Sequence, residues 1–117
     1  MAIKIQPFQE DRPWGHFRQF CKDTSVTVKI ISVNPNEMLS LQSHTKREEF
    51  WRVIEGHGVV EIENNQQEVK PGDEIFIPIG ARHRLVAKNE NLEVLEISFG
   101  EFSEDDITRY DDKYKRV

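Results

Sequence analysis

The amino-acid sequence predicts an all-β fold in which short antiparallel strands form a sandwich or barrel. Segments rich in β-branched and aromatic residues alternate with turn signals at intervals of about eight to twelve residues, which is typical of such folds. Val26–Val33, an almost unbroken β-branched run, is the clearest of these segments. Because no stretch shows the spacing of strand–helix–strand units, the sequence does not indicate a parallel sheet.

The strands are placed by the turns that separate them. Residues 1–10 are expected to form a loosely attached arm with Ile3 and Ile5 as edge-strand residues, and Arg-Pro-Trp-Gly at residues 12–15 predicts a turn into the first strand. The other turns are predicted at residues 21–25, 34–37, 55–58, 64–65 and 70–73, with 55–58 forming a hairpin. The predicted strands are therefore residues 14–20, Val26–Val33, 39–43, 50–54, 59–63, 66–69, 74–78, 82–88 and 92–99.

A different pattern follows the last strand. Ser103 can cap a helix, and the acidic residues after it favour a helix N-terminus, so a short helix is predicted over residues 103–107. Tyr110 and Tyr114 are spaced for one face of a helix or for an extended clasp over the strands. We expect one domain over residues 1–117, with its core at about 12–100 and a helix and tail at 101–117.

Composition limits the classes of function. Hydrophobic residues make up 37% and charged residues 32% of the chain, as expected of a well-solvated globular protein. The net charge of -5 argues against nucleic-acid binding. No apolar run has the length of about 20 residues needed to cross a membrane, and residues 1–4 lack the start of a signal peptide, so a cytoplasmic location is expected. The single cysteine, Cys21, can form no intrachain disulfide.

Four side chains form a candidate metal site. Gln42 and His44 are two residues apart on a predicted strand and so share a face, while Glu49 begins the next strand and an antiparallel return of the chain could bring it beside them. His83 would arrive from a separate strand. Imidazole, carboxylate and amide groups suit a divalent ion, with Zn first and Mn, Fe, Co and Ni as alternatives.

The first part of this site resembles the first cupin motif. That motif has a Gly, five residues, His-x-His, four residues, Glu, six residues and Gly. The chain has Asn36 at the first Gly position, then Gln42, His44, Glu49 and Gly56 at the same spacing. Gln42 in place of the first His matches the Gln, His, Glu, His ligand set of the mannose-6-phosphate isomerase branch of cupins.

The second part resembles the second cupin motif, which has a Gly, five residues and Pro-x-Gly-x-x-His, usually followed by three more residues and an Asn. The chain has Gly72, Pro78, Gly80 and His83 at this spacing, and Ala87 at the Asn position. Asn36 and Ala87 depart from the motifs at turn or scaffold positions, and the resemblance predicts that the site survives both changes.

Further segments make the resemblance specific. It is strongest to the cupin domain that occurs alone or at the C-terminus of bacterial mannose-1-phosphate guanylyltransferase/mannose-6-phosphate isomerase proteins. The shared segments are Arg-Pro-Trp-Gly at 12–15, Leu-Ser-Leu-Gln at 39–42, Pro-Ile-Gly-Ala-Arg-His-Arg-Leu at 78–85 and Glu-Asp-Asp-Ile at 104–107. The resemblance implies a double-stranded β-helix, the cupin jelly-roll barrel, and a homodimer joined through edge strands.

The resemblance also implies the interconversion of mannose 6-phosphate and fructose 6-phosphate. This reaction moves a proton between C1 and C2, so it needs an acid or base beside the metal, and Lys46 and Glu48 are the candidates next to the ligands. Arg82 and Arg84 are candidates for binding the phosphate. Trp51 shares the face of Glu49 and is a further candidate for contacting the substrate, with a core role as the alternative. Arg82 and Arg84 belong to a group of cations near the ligands that also includes Lys46, Arg47 and Arg52. Lys29, Ser40 and Arg12 are weaker candidates for the site.

Two alternatives remain from the sequence. The related isomerase domains often carry further histidines where this chain has Thr45, Lys46 and Phe50, which leaves open a metal- or sugar-binding cupin module without turnover, working beside a separate nucleotidyltransferase. A non-haem iron dioxygenase is the other alternative, because cupins also support that chemistry. No Gly-rich nucleotide-binding loop is found in the chain, so the sequence gives no basis for guanylyltransferase activity in this domain.

Overall fold

The computed structural model describes residues 6–101, 103 and 105–115. Within these residues the secondary structure is entirely β, and the predicted Val26–Val33 strand has the predicted bounds. The eleven strands of the described residues are β1 (Phe8–Arg12), β2 (Gly15–Gln19), β3 (Val26–Val33), β4 (Leu41–Ser43), β5 (Arg47–Glu55), β6 (Gly58–Ile62), β7 (Asn65–Val69), β8 (Glu74–Ile77), β9 (His83–Ala87), β10 (Leu92–Gly100) and β11 (Thr108–Asp111).

Nine of these strands form two antiparallel sheets. The four-stranded sheet has the order β3-β10-β5-β8, and the five-stranded sheet has the order β11-β4-β9-β6-β7. Strands β1 and β2 form a separate hairpin. The pairings in the described part of the chain leave both sheets open at their edges, so the all-β prediction is confirmed while the barrel is not closed by strand pairing.

The main core lies between the two sheets. Alternate residues of β5 and β10, such as Trp51, Val53, Leu92 and Val94, are fully buried and pack with Val60, Leu85 and other residues of the five-stranded sheet. Alternation along each strand explains this arrangement, because every second side chain points between the sheets.

A second apolar cluster covers the outer face of the four-stranded sheet. Phe50, Ile97 and Phe99 are buried there under Phe20, Cys21 and Val26. The β1–β2 hairpin is held to this sheet by Arg18, which donates two hydrogen bonds of 2.7 Å to the carboxylate of Glu74. Residues 8–10, predicted as part of a loose arm, are thus paired in a hairpin, while Ile3 and Ile5 lie outside the described residues.

The predicted hairpin at residues 55–58 is wrong. Strand β5 lies in the four-stranded sheet and β6 in the five-stranded sheet, so this connection carries the chain from one sheet to the other. Gly56 has a φ of 87°, and a Cβ at this position would lie 2.1 Å from the backbone oxygen of Asn91. Residue 56 therefore has a left-handed backbone conformation and lies too close to Asn91 to carry a side chain, so the position requires glycine.

The predicted C-terminal helix is also wrong. Of residues 103–107, Glu104 lies outside the described residues and the others are not helical. The carboxylate of Asp106 accepts hydrogen bonds from the backbone N–H groups of Thr45 and Lys46 instead of supporting a helix in its own segment. The chain continues extended into β11, which pairs with β4, so it forms a clasp on the five-stranded sheet.

The described part of the chain contains no helix with the length and apolar character needed to cross a bilayer.

Candidate metal centre

A cavity of about 250 Å³ opens between the two sheets at the end where β4, β9 and β11 face β5 and β10. Its walls are more polar than the adjoining core. The lining residues are Lys29, Ile31, Leu39, Ser40, Gln42, His44, Arg47, Glu49, Trp51, His83, Glu96, Ile107 and Arg109. All four predicted metal ligands are therefore in the wall of one cavity.

The ligands come from both sheets. Gln42 of β4 is the cross-strand partner of His83 of β9, so their side chains lie on the same face of the five-stranded sheet. Glu49 approaches from β5 in the opposing sheet. The expected antiparallel return from β4 to β5 is thus wrong, because the chain changes sheets through Thr45 and Lys46.

Three acceptor groups converge in the buried part of the cavity. The Nε2 atoms of His44 and His83 each lie 3.6 Å from a different oxygen of Glu49. One ligand atom from each of the three residues lies within 4.8 Å of the others, and all three residues are buried. The chemistry of this set fits a divalent ion, because three groups with lone pairs converge on one point.

Backbone carbonyls fix both histidine tautomers. Nδ1 of His83 donates to the carbonyl of Ala81 over 2.9 Å, and Nδ1 of His44 donates to the carbonyl of Asp106 over 2.6 Å. Because a carbonyl can only accept, the hydrogen lies on Nδ1 of each ring, and each Nε2 atom keeps a lone pair within the cavity. Burial also lowers the pKa of His83, which keeps this imidazole neutral and able to bind a metal.

Arg47 lies beside the same three residues. Its Nε donates to Glu49 over 3.1 Å, its Nη2 donates to Nε2 of His44 over 3.3 Å, and its Nη1 donates to the carbonyl of Ser103 over 3.0 Å. Arg47 was only one member of the predicted group of cations, and its direct contact with two ligands follows from its position two residues before Glu49 on the inward face of β5.

Lys46 and Glu48, the predicted proton-transfer residues, do not line the cavity. The Lys46 side chain is 58% exposed and lies 4.0 Å from Glu101. Glu48 is buried on the opposite face of β5 from Glu49, where burial raises the pKa of its carboxyl group and Oε1 has no hydrogen-bond partner among the described residues.

Arg82 and Arg84, the predicted phosphate-binding residues, also lie outside the cavity lining. The Arg82 guanidinium stacks 4.1 Å from the centre of the Tyr110 ring, and Arg84 forms an ion pair of 2.9 Å with Asp111. Strand alternation explains this result, because residues 82 and 84 face away from the side of β9 that carries His83.

Trp51 lies in the cavity wall, where its ring makes an edge contact with His83 at a centroid distance of 5.7 Å. Its Nε1 donor is buried and has no acceptor in the described part of the protein. A bound molecule could therefore satisfy this N–H group.

Sequence reasoning missed two charged residues of the cavity, Glu96 and Arg109, and ranked Lys29 low. Glu96 is buried beside Lys29, and burial together with the nearby Glu49 carboxylate raises its pKa to about 7. The signal for Glu96 was its place in the inward series Leu92, Val94, Glu96, where an acidic residue interrupts a core face. Arg109 could not be found in this way because residues 108–111 were not predicted as a strand.

Comparisons with known proteins agree with this geometry. The family model described as "Mannose-6-phosphate isomerase C-terminal" matches residues 5–112. Mannose-1-phosphate guanylyltransferase ManC of Salmonella typhimurium is 36% identical over 108 residues, which are 91% of this chain and 22% of that protein. Alginate biosynthesis protein AlgA of Pseudomonas fluorescens is 37% identical over 107 residues, which are 90% of this chain and 22% of that protein.

Among solved structures, a cupin protein from Bacteroides fragilis matches with a TM-score of 0.61 and 20% identity, over 71% of this chain and 75% of that one. This likeness shows the fold. The chain spans only about a fifth of the length of the two curated relatives, since it covers 22% of each. Together with the match over residues 5–112, these findings show that the chain belongs to the mannose-6-phosphate isomerase C-terminal family and has the cupin fold.

Proposed function

We propose that this domain is a metal-dependent sugar-phosphate isomerase that interconverts mannose 6-phosphate and fructose 6-phosphate. The observation that carries the proposal is the convergence of His44, Glu49 and His83 in a cavity that also contains Glu96, a carboxyl group outside the ligand set. An aldose–ketose isomerase needs both parts, a cationic centre at the sugar oxygens and a nearby group that moves a proton.

Gln42, His44, Glu49 and His83 would hold the ion, with Zn as the first candidate and Mn, Fe, Co and Ni as alternatives. When bound, the ion would supply Lewis-acid stabilisation of negative charge on the substrate oxygens. The residues around it hold the ligands in place: the carbonyls of Ala81 and Asp106 orient the two imidazoles, and Arg47 orients Glu49.

Glu96 is the residue that we propose for proton transfer between C1 and C2. It lies in the cavity wall on β10, and its cross-strand partners are Trp51 and Lys29. Its position in the cavity favours it over Lys46 and Glu48, which the sequence suggested but which face elsewhere. A carboxyl group with a pKa near 7 also exchanges protons readily at neutral pH.

The departures at Thr45, Lys46 and Phe50 fall outside the cavity lining. The hydroxyl group of Thr45 bonds to Asp106, Lys46 is exposed, and Phe50 packs in the apolar cluster on the outer face of the four-stranded sheet. The three side chains at these positions therefore neither line the cavity nor displace a predicted ligand, which is compatible with turnover by this domain.

The names of the relatives suggest a metabolic setting. ManC is named for nucleotidyl transfer and AlgA for alginate biosynthesis, and both extend far beyond the part that this chain matches. We place the isomerase activity in the supply of mannose phosphates for polysaccharide synthesis, with nucleotidyl transfer left to a separate domain or protein.

The direct test is to purify the protein without chelator, measure bound metal, and assay conversion of mannose 6-phosphate to fructose 6-phosphate with added Zn, Mn, Co, Ni or Fe(II). We expect about one ion per chain and turnover, both lost in His44→Ala. His57→Ala is the matched control, because His57 is 59% exposed and pairs with Glu90 far from the cavity ligands. Stoichiometric metal without turnover under any ion would replace the isomerase with a metal- or sugar-binding module.

A second variant tests the role of Glu96. Glu96→Gln should retain the metal and reduce kcat by about 100-fold or more, with a smaller change in KM, because the proton-transfer group is lost while binding remains. Unchanged kcat in this variant would exclude Glu96 from proton transfer.

A further inference from the structure

Arg109 is a cavity residue with a buried hydrogen-bond donor that a ligand could satisfy. It lies on β11 as the cross-strand partner of Gln42, and its side chain lines the cavity. Its Nε is buried, and no described residue accepts a hydrogen bond from this atom. An arginine donor in this situation costs folding free energy unless another molecule satisfies it.

The other cations of the cavity have their own acidic neighbours. Arg47 donates to Glu49, and Lys29 lies beside Glu96, whose carboxylate it stabilises. No ion pair joins Arg109 to a carboxylate within the described residues. Outside the cavity, by contrast, Arg84 is already paired with Asp111. Arg109 is thus the guanidinium whose charge remains to be balanced.

The five-stranded sheet also sets the distance between Arg109 and the ligands. Arg109, Gln42 and His83 occupy successive positions across β11, β4 and β9. With strands about 4.8 Å apart, the Cα atom of Arg109 lies roughly 5 Å from that of Gln42 and roughly 10 Å from that of His83. A molecule held by one end at His44, Glu49 and His83 could reach Arg109 with its other end.

We propose that Arg109 binds the phosphate group of the substrate and makes the cavity selective for phosphorylated over free sugars. The inference rests on the proposed isomerase function, in which C1 and C2 lie at the ligands and the phosphate lies at the far end of the sugar. A guanidinium matches two phosphate oxygens at once and offsets part of the charge of the dianion, and the buried Nε1 of Trp51 offers a further donor in the same cavity wall.

The test measures binding separately from turnover. Isothermal titration of the full chain with fructose 6-phosphate, with fructose and with inorganic phosphate should show that fructose 6-phosphate binds at least tenfold more tightly than fructose. Arg109→Gln should weaken fructose 6-phosphate binding by about 10- to 100-fold and leave fructose binding unchanged. Arg109→Lys should recover part of the loss, because lysine keeps the charge and loses the paired geometry.

Arg84→Gln is the control, since it removes an arginine from β9 of the same sheet without changing the cavity lining. Thermal unfolding and metal content confirm that each variant is folded. If Arg109→Gln does not fold, the fructose 6-phosphate affinity of Arg109→Lys tests the proposal: weaker binding supports the phosphate site and unchanged binding contradicts it.

The outcomes separate this inference from the proposed function. Arg109-dependent binding of fructose 6-phosphate without turnover would support the phosphate site while the isomerase proposal fails. Turnover with equal KM and equal fructose 6-phosphate affinity in Arg109→Gln would overturn the phosphate site while the isomerase remains. The phosphate site would also be overturned by a third result. In that case the native chain and Arg109→Gln bind inorganic phosphate equally, and neither prefers fructose 6-phosphate to fructose.

Discussion

Among single residues, the two carboxyl groups of the cavity lie in contrasting surroundings. Glu49 accepts a hydrogen bond from Arg47 and faces the Nε2 atoms of both histidines. Glu96 is buried and accepts a hydrogen bond of 3.3 Å from Oγ of Ser98, and its pKa is raised to about 7 by burial and by the Glu49 charge. In the proposed reaction Glu49 would bind the ion and Glu96 would hold and release a proton.

Because the pKa of Glu96 is raised, we expect that replacing Glu96 stabilises the folded protein, and that the gain is larger at high pH. Because the folded pKa is about 7 against an ordinary 4.5, burial of the ionised form destabilises the native state as the pH rises from the ordinary to the folded value. In the presence of chelator, Glu96→Gln should raise the free energy of unfolding by up to about 3 kcal/mol at pH 8 and much less at pH 5. Urea unfolding at the two pH values measures this difference.

Glu93→Gln, on the outward face of the same strand, is the matched control for the loss of one carboxyl group. An equal effect of Glu96→Gln at both pH values would contradict the prediction.

The sequence located the ligands well and the residues around them poorly. Gln42, His44, Glu49 and His83 were found because motif spacing fixes their strands and faces. Lys46 and Glu48 were chosen for their nearness in sequence, yet adjacent residues of a strand point to opposite faces. Arg109 was out of reach because its contribution depends on the pairing of β11 with β4, which are far apart in the chain.

Among the elements, the clasp formed by residues 105–111 completes the cavity. Its Asp106 carbonyl orients His44, and the Asp106 carboxylate accepts from both N–H groups of residues 45 and 46. Although burial raises the pKa of Asp106, the bonds from Thr45 and Lys46 lower it below its ordinary value, so the carboxylate stays charged at neutral pH.

Loss of the Asp106 carboxylate should loosen this clasp and weaken the metal site. We expect Asp106→Ala to reduce metal affinity by about 10- to 100-fold, the range typical of residues that orient metal ligands. Competition with a chromogenic chelator measures the affinity directly. Asp105→Ala is the neighbouring control, because Asp105 is exposed, and equal affinity in both variants would show that the clasp does not position His44.

The β1–β2 hairpin depends on one carboxylate of the four-stranded sheet. Glu74 accepts two bonds from Arg18 of the hairpin and a bond of 2.5 Å from Arg52. The bonds from Arg18, followed by that from Arg52, lower the pKa of Glu74 despite its burial, so this stabilisation is present above pH 4.5 and is lost as the pH falls through the folded value.

Glu74→Gln should therefore destabilise the protein at pH 7 by about 1 kcal/mol, a modest value because both arginines are partly exposed. Amide hydrogen exchange in β1 and β2 should accelerate more than exchange in β10. Glu10→Gln removes an exposed ion pair with Arg12 within the same hairpin and serves as the control. Unchanged exchange in β1 would show that the hairpin is held by its apolar contacts.

Element types were predictable where local signals agree with the tertiary structure. Val26–Val33 has the same bounds in the sequence prediction and in the structure, because β-branched composition and sheet packing favour the same conformation. At residues 103–107 the local helix signal gives only a turn, in which the N–H group of Asp106 donates to the carbonyl of Ser103, because the Asp106 carboxylate accepts three hydrogen bonds from Thr45 and Lys46. The conformation of residues 103–107 thus depends on tertiary contacts that the local sequence does not indicate.

At the scale of the whole molecule, the free edge of the four-stranded sheet suggests where two copies meet. Strand β3 pairs only with β10 in the described part of the chain, and its outward residues Val28 and Ile30 are 54% and 62% exposed. An exposed apolar edge strand readily pairs with another chain.

We therefore expect a homodimer that Ile30→Lys converts to a monomer, because the charge would be buried at the interface. Sedimentation equilibrium measures the mass of each form. Ile79→Lys, at an exposed turn outside β3, is the matched control and should remain dimeric. A monomeric native protein, or a dimeric Ile30→Lys variant, would exclude this interface.

The bond between His44 and the Asp106 carbonyl joins residues 62 positions apart, and this separation has a consequence for biosynthesis. A ribosome adding about 5–20 residues per second makes Asp106 on the order of 3–12 s after His44. During that interval the imidazole lacks the group that fixes its tautomer, and Arg109 does not yet exist. The predicted ligand set and the residues that orient it are therefore complete only after residues 106–109 have left the ribosomal tunnel.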